Sequence, residues 1–344
     1  MEAFRTQYPD HRILLTFFSP SGYEVRKDYA GADYVLYLPT DTPANARQFV
    51  QLVQPRMAFF IKYEFWYNYL RELRAAHVPI LCFSAAFRPN QLFFKPYGGF
   101  YRNLLRYFDH LLVQNQQSVT LLARTGITNV TWAGDTRFDR VAQTADQAPP
   151  IPIAEAFRAG QPLLVVGSAW PGDMAVLIPF FNGFGQPLKV IIAPHEINPE
   201  QIERWREQLI RPSVRYSQTD RATVAKADIL FIDNVGMLSA LYQYGQFAYI
   251  GGAFGEGLHN ILEPAAFGMP IFFGPQYTDF PEAGELLKAG GAFSVRSADE
   301  LVTTFARQYD DPSVAARISR DYVRRNIGAT AQVMQVVKFL LNTE

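Results

Sequence analysis

A chain of 344 residues exceeds one ordinary domain and suits two of roughly 150 residues each. Its 32 basic and 32 acidic residues cancel, so bulk electrostatics give no case for nucleic acid as a partner. Apolar residues make up 49%, yet no stretch nears the ~20 uninterrupted apolar residues of a spanning helix and no signal-peptide core opens the chain, which points to a globular protein, soluble or peripheral to a membrane.

Met1–Tyr8 has the pattern of the end of an amphipathic helix, so the opening strand of a first domain and its βα loop are expected upstream of Met1. Strand patterns follow at Ile13–Phe18, Tyr34–Tyr37, Met57–Ile61, Ile80–Phe83, Leu111–Val113 and Val130–Ala133, with helical periodicity at Ala44–Val53, Trp66–His77, Gly99–Tyr107 and Ser118–Arg124. This alternation predicts an α/β domain with a doubly wound parallel sheet. Cys82, the single cysteine, lies in an apolar run and reads as a small buried hydrophobe in a reducing compartment.

Ala148-Pro149-Pro150-Ile151-Pro152 reads as a linker. A second βαβ series succeeds it, with strands at Leu163–Val166, Lys189–Ala193, Ile229–Ile232, Phe247–Ile250, Ile271–Phe273 and Phe293–Val295. Its helices are expected near Ala175–Phe181, Pro199–Leu209, Leu238–Tyr242, Ile261–Phe267, Ala283–Lys288 and Ala298–Arg307. The expected organisation is a first domain over residues 1–147, a linker over 148–160, a second domain over 161–328, and a terminal helix within 329–344 that packs back on the first domain.

In doubly wound folds ligands sit at the carboxyl ends of strands. Gly251–Ala265 follows a strand and opens a helix. Its glycines, Gly252 among them, allow close backbone approach to a phosphate, while Glu263 one turn inside can accept sugar hydroxyls. A purely structural Gly-rich turn is the alternative, but a turn requires neither His259 nor Asn260. Gly167-Ser168-Ala169-Trp170-Pro171-Gly172-Asp173 ends another strand; capping accounts for Ser168 and Pro171, and a ligand-facing role is open for Trp170 and Asp173. Ala193-Pro194-His195-Glu196 ends a third and directs His195 to the same crevice, where it could contact an anion. Asn234-Val235-Gly236-Met237 offers backbone groups of Gly236 and Met237 to a phosphate or base.

In the first domain Lys62, Glu64 and Asn68 stand among aromatics at a strand-to-helix junction and suit a sugar-bearing acceptor; a solvated helix start is the alternative. Phe87–Tyr97 crowds aromatics with Arg88 and Lys95, which fits either a lipid-facing surface or core packing.

Together these motifs resemble the 3-deoxy-D-manno-octulosonic acid (Kdo) transferases of the lipid A pathway, inverting glycosyltransferases of GT-B type, over essentially the whole chain. The resemblance rests on Lys62–Asn68, where Tyr67 replaces a family proline, on Gly134-Asp135-Thr136-Arg137-Phe138-Asp139, on Gly167-Ser168, and above all on Gly251–Ala265. Ala193-Pro194-His195-Glu196 and Ala169–Met174 depart from the family's patterns. The resemblance implies two doubly wound Rossmann-like domains facing across a cleft, a CMP-Kdo donor, and a tetraacylated lipid A precursor as acceptor. It also implies peripheral association with the cytoplasmic face of the inner membrane of a Gram-negative bacterium. Ser168, His195, Gly236, Met237, Gly252, His259, Asn260 and Glu263 would serve the donor nucleotide, with Glu263 on the ribose. Lys62, Glu64, Asn68 and Arg88 would serve the acceptor. No metal and no cofactor are implied, and the catalytic base is a glutamate in a Gly-rich loop expected upstream of Met1, so an N-terminally incomplete or compromised enzyme is the expectation.

Two other readings use the same residues. A GT-B enzyme or epimerase acting on a UDP-sugar needs the same loop and ribose-binding carboxylate, and a catalytically inactive homologue could keep the nucleotide crevice alone. A dehydrogenase is disfavoured, since no G-x-G-x-x-G opens a first βα unit.

Overall fold

The computed structural model describes residues 1–342, which divide into two units: Met1–Asp139 with the segment from Ile327 onward, and Arg140–Asn326.

Short runs rich in β-branched and aromatic residues alternate with helices through the first unit. In chain order these are α1 (Glu2–Gln7), β1 (Leu14–Phe17), α2 (Pro20–Arg26), β2 (Tyr34–Tyr37), α3 (Pro43–Val53), β3 (Ala58–Ile61), α4 (Tyr67–Ala75), β4 (Ile80–Ala85), α5 (Gly99–Leu105), β5 (His110–Val113), α6 (Gln116–Arg124), β6 (Val130–Trp132) and α7 (Thr136–Asp146), the last running on into the second unit. Strands β3, β4, β5 and β6 pair in that order as one parallel sheet, while β1 and β2 form a separate two-stranded parallel sheet.

Both faces of the larger sheet are covered, as parallel pairing requires. Alternation along β4 sends Ile80 and Cys82 into a core with Leu70 and Leu73 of α4, Leu105 of α5 and Leu122 of α6. Leu81 points the other way, to Leu112, Val333 and Val337, with Phe4 of α1 against them. Cys82 is fully buried and its thiol is pushed up by burial.

The second unit contains α8 (Pro152–Arg158), β7 (Leu163–Ala169), α9 (Pro171–Gly183), β8 (Lys189–Pro194), α10 (Pro199–Glu207), β9 (Ser213–Arg215), β10 (Ile229–Phe231), α11 (Leu238–Leu241), β11 (Phe247–Ile250), α12 (Leu262–Phe267), β12 (Ile271–Phe273), α13 (Pro281–Ala289), β13 (Ala292–Ser294), α14 (Ala298–Asp310) and α15 (Ser313–Asn326). All seven strands join one parallel sheet in the order β13-β12-β11-β7-β8-β10-β9. The chain builds outward from β7 through β8 and then returns to its other side through β11, so the β7/β11 junction is the topological switch point, where such sheets bind ligands. Leu177 and Phe180 of α9, Trp205 of α10 and Phe305 of α14 close the core over Val166, Ile192 and Phe231.

Helix α16 (Ala329–Leu341) completes the first unit. Asp139 accepts the backbone N–H groups of Gly328 (2.6 Å) and Thr330 (2.9 Å) and so caps it.

Several elements differ from the sequence expectation. Residues 148–160 hold α8: Pro152 occupies a first helical position, where its missing N–H costs nothing, and Ala154 and Phe157 are fully buried. Helices α2, α7 and α15 and strand β9 were not anticipated. In α15 the buried residues are Ala315, Ser319 and Val323, a helical stripe too small and polar to register as apolar periodicity. Among the described residues no helix is long and apolar enough to cross a membrane.

Candidate functional site

Pairing of Ile250 with Gly167 brings the ends of β7 and β11 side by side. Ser168 leaves β7 at φ +55°, a left-handed conformation uncommon for a residue with a side chain. The opposing loop must be glycine: a Cβ on Gly251 would lie 2.2 Å from the Ser168 carbonyl oxygen, and Gly252, at φ +94°, would press its Cβ to 2.1 Å from the Gly257 oxygen.

Asp173 locks this arrangement. Fully buried in the first turn of α9, it accepts the backbone N–H groups of Trp170 (2.9 Å) and Gly252 (2.8 Å) and the Tyr249 hydroxyl (3.1 Å). Burial raises its carboxyl above the usual range against the pull of those bonds. The ligand-facing role left open for Asp173 therefore gives way to a clamp between two loops.

Trp170, His195 and His259 form one aromatic stack. The Trp170 and His195 rings lie 4.2 Å apart at 19°, and His195 and His259 4.6 Å apart at 29°. Trp170 Nε1 donates to His259 Nε2 at 2.8 Å. Burial, and then the neighbouring His195, hold His259 below the ordinary histidine range. Backbone bonds fix the loops to one another, His195 N–H to the Ala169 carbonyl at 3.0 Å and His259 N–H to the Gly251 carbonyl at 3.2 Å.

Next to the stack, Glu263 in the first turn of α12 accepts Asn260 Nδ2 at 3.1 Å and Ser239 Oγ at 2.8 Å. Ser239, on α11 just after the Gly236–Met237 turn, thereby ties that turn to Glu263. Gly236 stands exposed at φ +90°. Ser168, His195, Gly252 and His259 are thus brought together by the stack and its loops, and Asn260 and Glu263, with the Gly236–Met237 turn, by the carboxylate network. Ser239 escaped the sequence reading because a serine one turn beyond a short loop carries no signal until its neighbour is known.

In the first unit Lys62 ends β3 and Arg88 follows β4, strands that pair in register. Lys62 sits at φ +58° with its N–H bonded to the Phe83 carbonyl at 3.0 Å. Glu64 is exposed and accepts Trp66 Nε1 at 2.7 Å. Asn68 is already engaged, its amide donating to the Asp41 carbonyl at 2.9 Å while Asp41 accepts the Asn68 and Tyr69 backbone N–H groups at 3.2 Å. Arg88 is exposed. The aromatic loop divides in two: Phe87 and Phe93 belong to the core, whereas Leu92, Tyr97, Phe100 and Tyr101 face outward, Tyr97 at 76% exposure.

A family model described as 3-deoxy-D-manno-octulosonic-acid transferase (kdotransferase) matches residues 1–140. The 3-deoxy-D-manno-octulosonic acid transferase of Aquifex aeolicus is 25% identical over 301 residues, 86% of this chain and 77% of that protein. That of Chlamydophila psittaci is 25% identical over 329 residues, 92% of this chain and 75% of its own. Among solved structures, the UDP-GlcNAc 2-epimerase from Neisseria meningitidis bound to UDP-GlcNAc gives a TM-score of 0.65 over 95% of this chain and 91% of its own, at 13% identity, a likeness of fold alone. Residues 1–140 accordingly match the Kdo transferase family model, the α/β units share the fold of GT-B glycosyltransferases and epimerases, and the similarity to curated Kdo transferases runs through both units of the chain.

Proposed function

We propose that this protein moves Kdo from CMP-Kdo to a lipid A precursor with inversion at the anomeric carbon. The observation that carries the reading is the convergence of His195, His259, Asn260, Glu263 and Ser239 on the switch point of a parallel sheet, in a chain whose residues 1–140 match the Kdo transferase family model. Glu263, with two acceptor oxygens oriented by Asn260 and Ser239, suits the paired hydroxyls of the ribose. The glycine loop offers close backbone approach to the phosphate, and His195 and His259 offer ring N–H groups.

In the proposed transfer an acceptor hydroxyl forms a bond to the Kdo anomeric carbon as the bond from that carbon to the CMP phosphate oxygen breaks. The hydroxyl proton passes to a general base, and CMP leaves with the bonding electron pair on its phosphate. Lys62, Glu64 and Arg88, at the ends of paired strands of the first unit, are assigned to the acceptor together with Asn68, whose amide is bonded to the Asp41 carbonyl. The outward Leu92, Tyr97 and Phe100, beside Arg88 and Lys95, suit contact with the cytoplasmic face of the inner membrane that carries this acceptor.

Incubation with CMP-Kdo and a tetraacylated disaccharide acceptor tests the reading. Release of CMP that depends on the acceptor and is lost in Glu263→Ala is expected. Nucleotide binding without release, even with prolonged incubation, favours the non-catalytic homologue instead.

A further inference from the structure

Trp170 stands at the N-terminus of α9, and its geometry bears on the protonation of His259. An indole nitrogen is a donor only, so the 2.8 Å contact from Trp170 Nε1 makes His259 Nε2 the acceptor. A neutral imidazole that accepts at Nε2 carries its proton on Nδ1. A second proton on Nε2 would set two N–H donors against each other and break the contact.

The indole has little freedom to yield. Its ring is stacked on His195 at 4.2 Å, and its backbone N–H is bonded to buried Asp173 at 2.9 Å. The titratable groups that face His259 are His195 stacked on its ring and Asp173 behind the Trp170 backbone, while Glu256 and Glu263 are near in sequence, on its own loop and the following helix, with Glu263 bonded to Asn260 and Ser239. His259 Nδ1 has no partner within the protein among the described residues, on a ring that is only part-buried.

We infer that Trp170 is a positioning residue that fixes His259 as the neutral Nδ1–H tautomer, so that this N–H is presented as a hydrogen-bond donor to an oxygen of the bound nucleotide sugar. Acting through His259 and not on the ligand, the indole specifies which ring nitrogen donates and opposes gain of a second proton. The role toward a nucleotide sugar rests on the function proposed above; the tautomer does not.

The test therefore starts without nucleotide. Long-range proton–nitrogen correlation spectra of the ¹⁵N-histidine-labelled full chain, assigned with His259→Gln, report the tautomer directly. A protonated Nδ1 and bare Nε2 at pH 7.5 are expected, with titration below the ordinary histidine value. Trp170→Phe keeps the ring stack and removes the donor; in it Nε2 should become protonated and the titration midpoint should rise. An Nε2–H tautomer in the wild-type chain, or a tautomer and midpoint unchanged in Trp170→Phe, overturns the inference. The wild-type spectrum decides even if the variant folds poorly. CMP titration supplies the second arm: about a tenfold loss of affinity in Trp170→Phe, the range of one hydrogen bond to a charged group, is expected. Unaltered affinity alongside an altered tautomer removes the ligand role but leaves the tautomer, and absence of CMP binding to the wild-type chain counts against the proposed function alone.

Discussion

Asp173 accepts the backbone N–H of Gly252 at 2.8 Å, so one buried carboxylate couples the loop after β7 to the loop after β11 at the sheet's switch point. Replacing Asp173 with Ala leaves two backbone N–H groups and the Tyr249 hydroxyl without their partner. Loss of about 3 kcal/mol is expected, read as a lower urea midpoint for the second unit. A change under about 0.5 kcal/mol, the range of an ordinary surface substitution, would remove the clamp from consideration.

Gly251→Ala tests the close approach of those loops. Its Cβ meets the Ser168 carbonyl and the Asp173 carboxylate, neither a flexible side-chain end. A lower thermal midpoint and lost CMP binding are expected together, whereas Gly185→Ala, which meets no atom within 4 Å, should leave both unchanged. Equal behaviour of the two variants speaks against a tight loop contact.

His259 sets a pH dependence of definite sign. Its folded-state value is held below the 6.5 of an unperturbed histidine, by burial first and by His195 second. Its contribution to stability is therefore fully present above the unfolded value and declines as pH falls through the folded one. The thermal midpoint should drop between pH 7 and pH 5, and His259→Gln should flatten that slope. Part of it should persist, because burial also lowers His110 in the first unit. An unaltered slope in the variant would show that His259 is not held neutral.

Asp139→Ala removes the cap of α16. About 1 to 2 kcal/mol should be lost, with faster amide exchange in the first turns of that helix. Thr330→Ala should cost less, since only its hydroxyl bond to Asp139 at 3.0 Å disappears.

The legible part of this molecule lies where local chemistry and topology agree. Strand β7, its glycine-serine exit and the Gly251–Ala265 loop can be read because a buried parallel strand is a continuous apolar run and its ligand end needs glycine. Residues 148–160 mislead because three prolines read as a linker, whereas Pro152 starts a helix that buries Phe157. Helix α15 hides behind a stripe of Ala, Ser and Val, small because Ser319 must fit against Gly291, whose carbonyl it bonds at 3.1 Å. Asp173 and Ser239 could not be assigned from sequence, since each depends on a partner from a distant strand-end loop or helix.

Calorimetric titration of the full chain with CMP, with UMP as control and Glu263→Ala as variant, tests the donor assignment most directly. CMP should bind more tightly than UMP, and Glu263→Ala should weaken CMP by roughly tenfold to a hundredfold, the range of hydrogen bonds to a charged group, at an unchanged fold. UMP binding as tight as or tighter than CMP, or CMP binding indifferent to the loss of Glu263, would contradict a cytidine nucleotide held by this carboxylate.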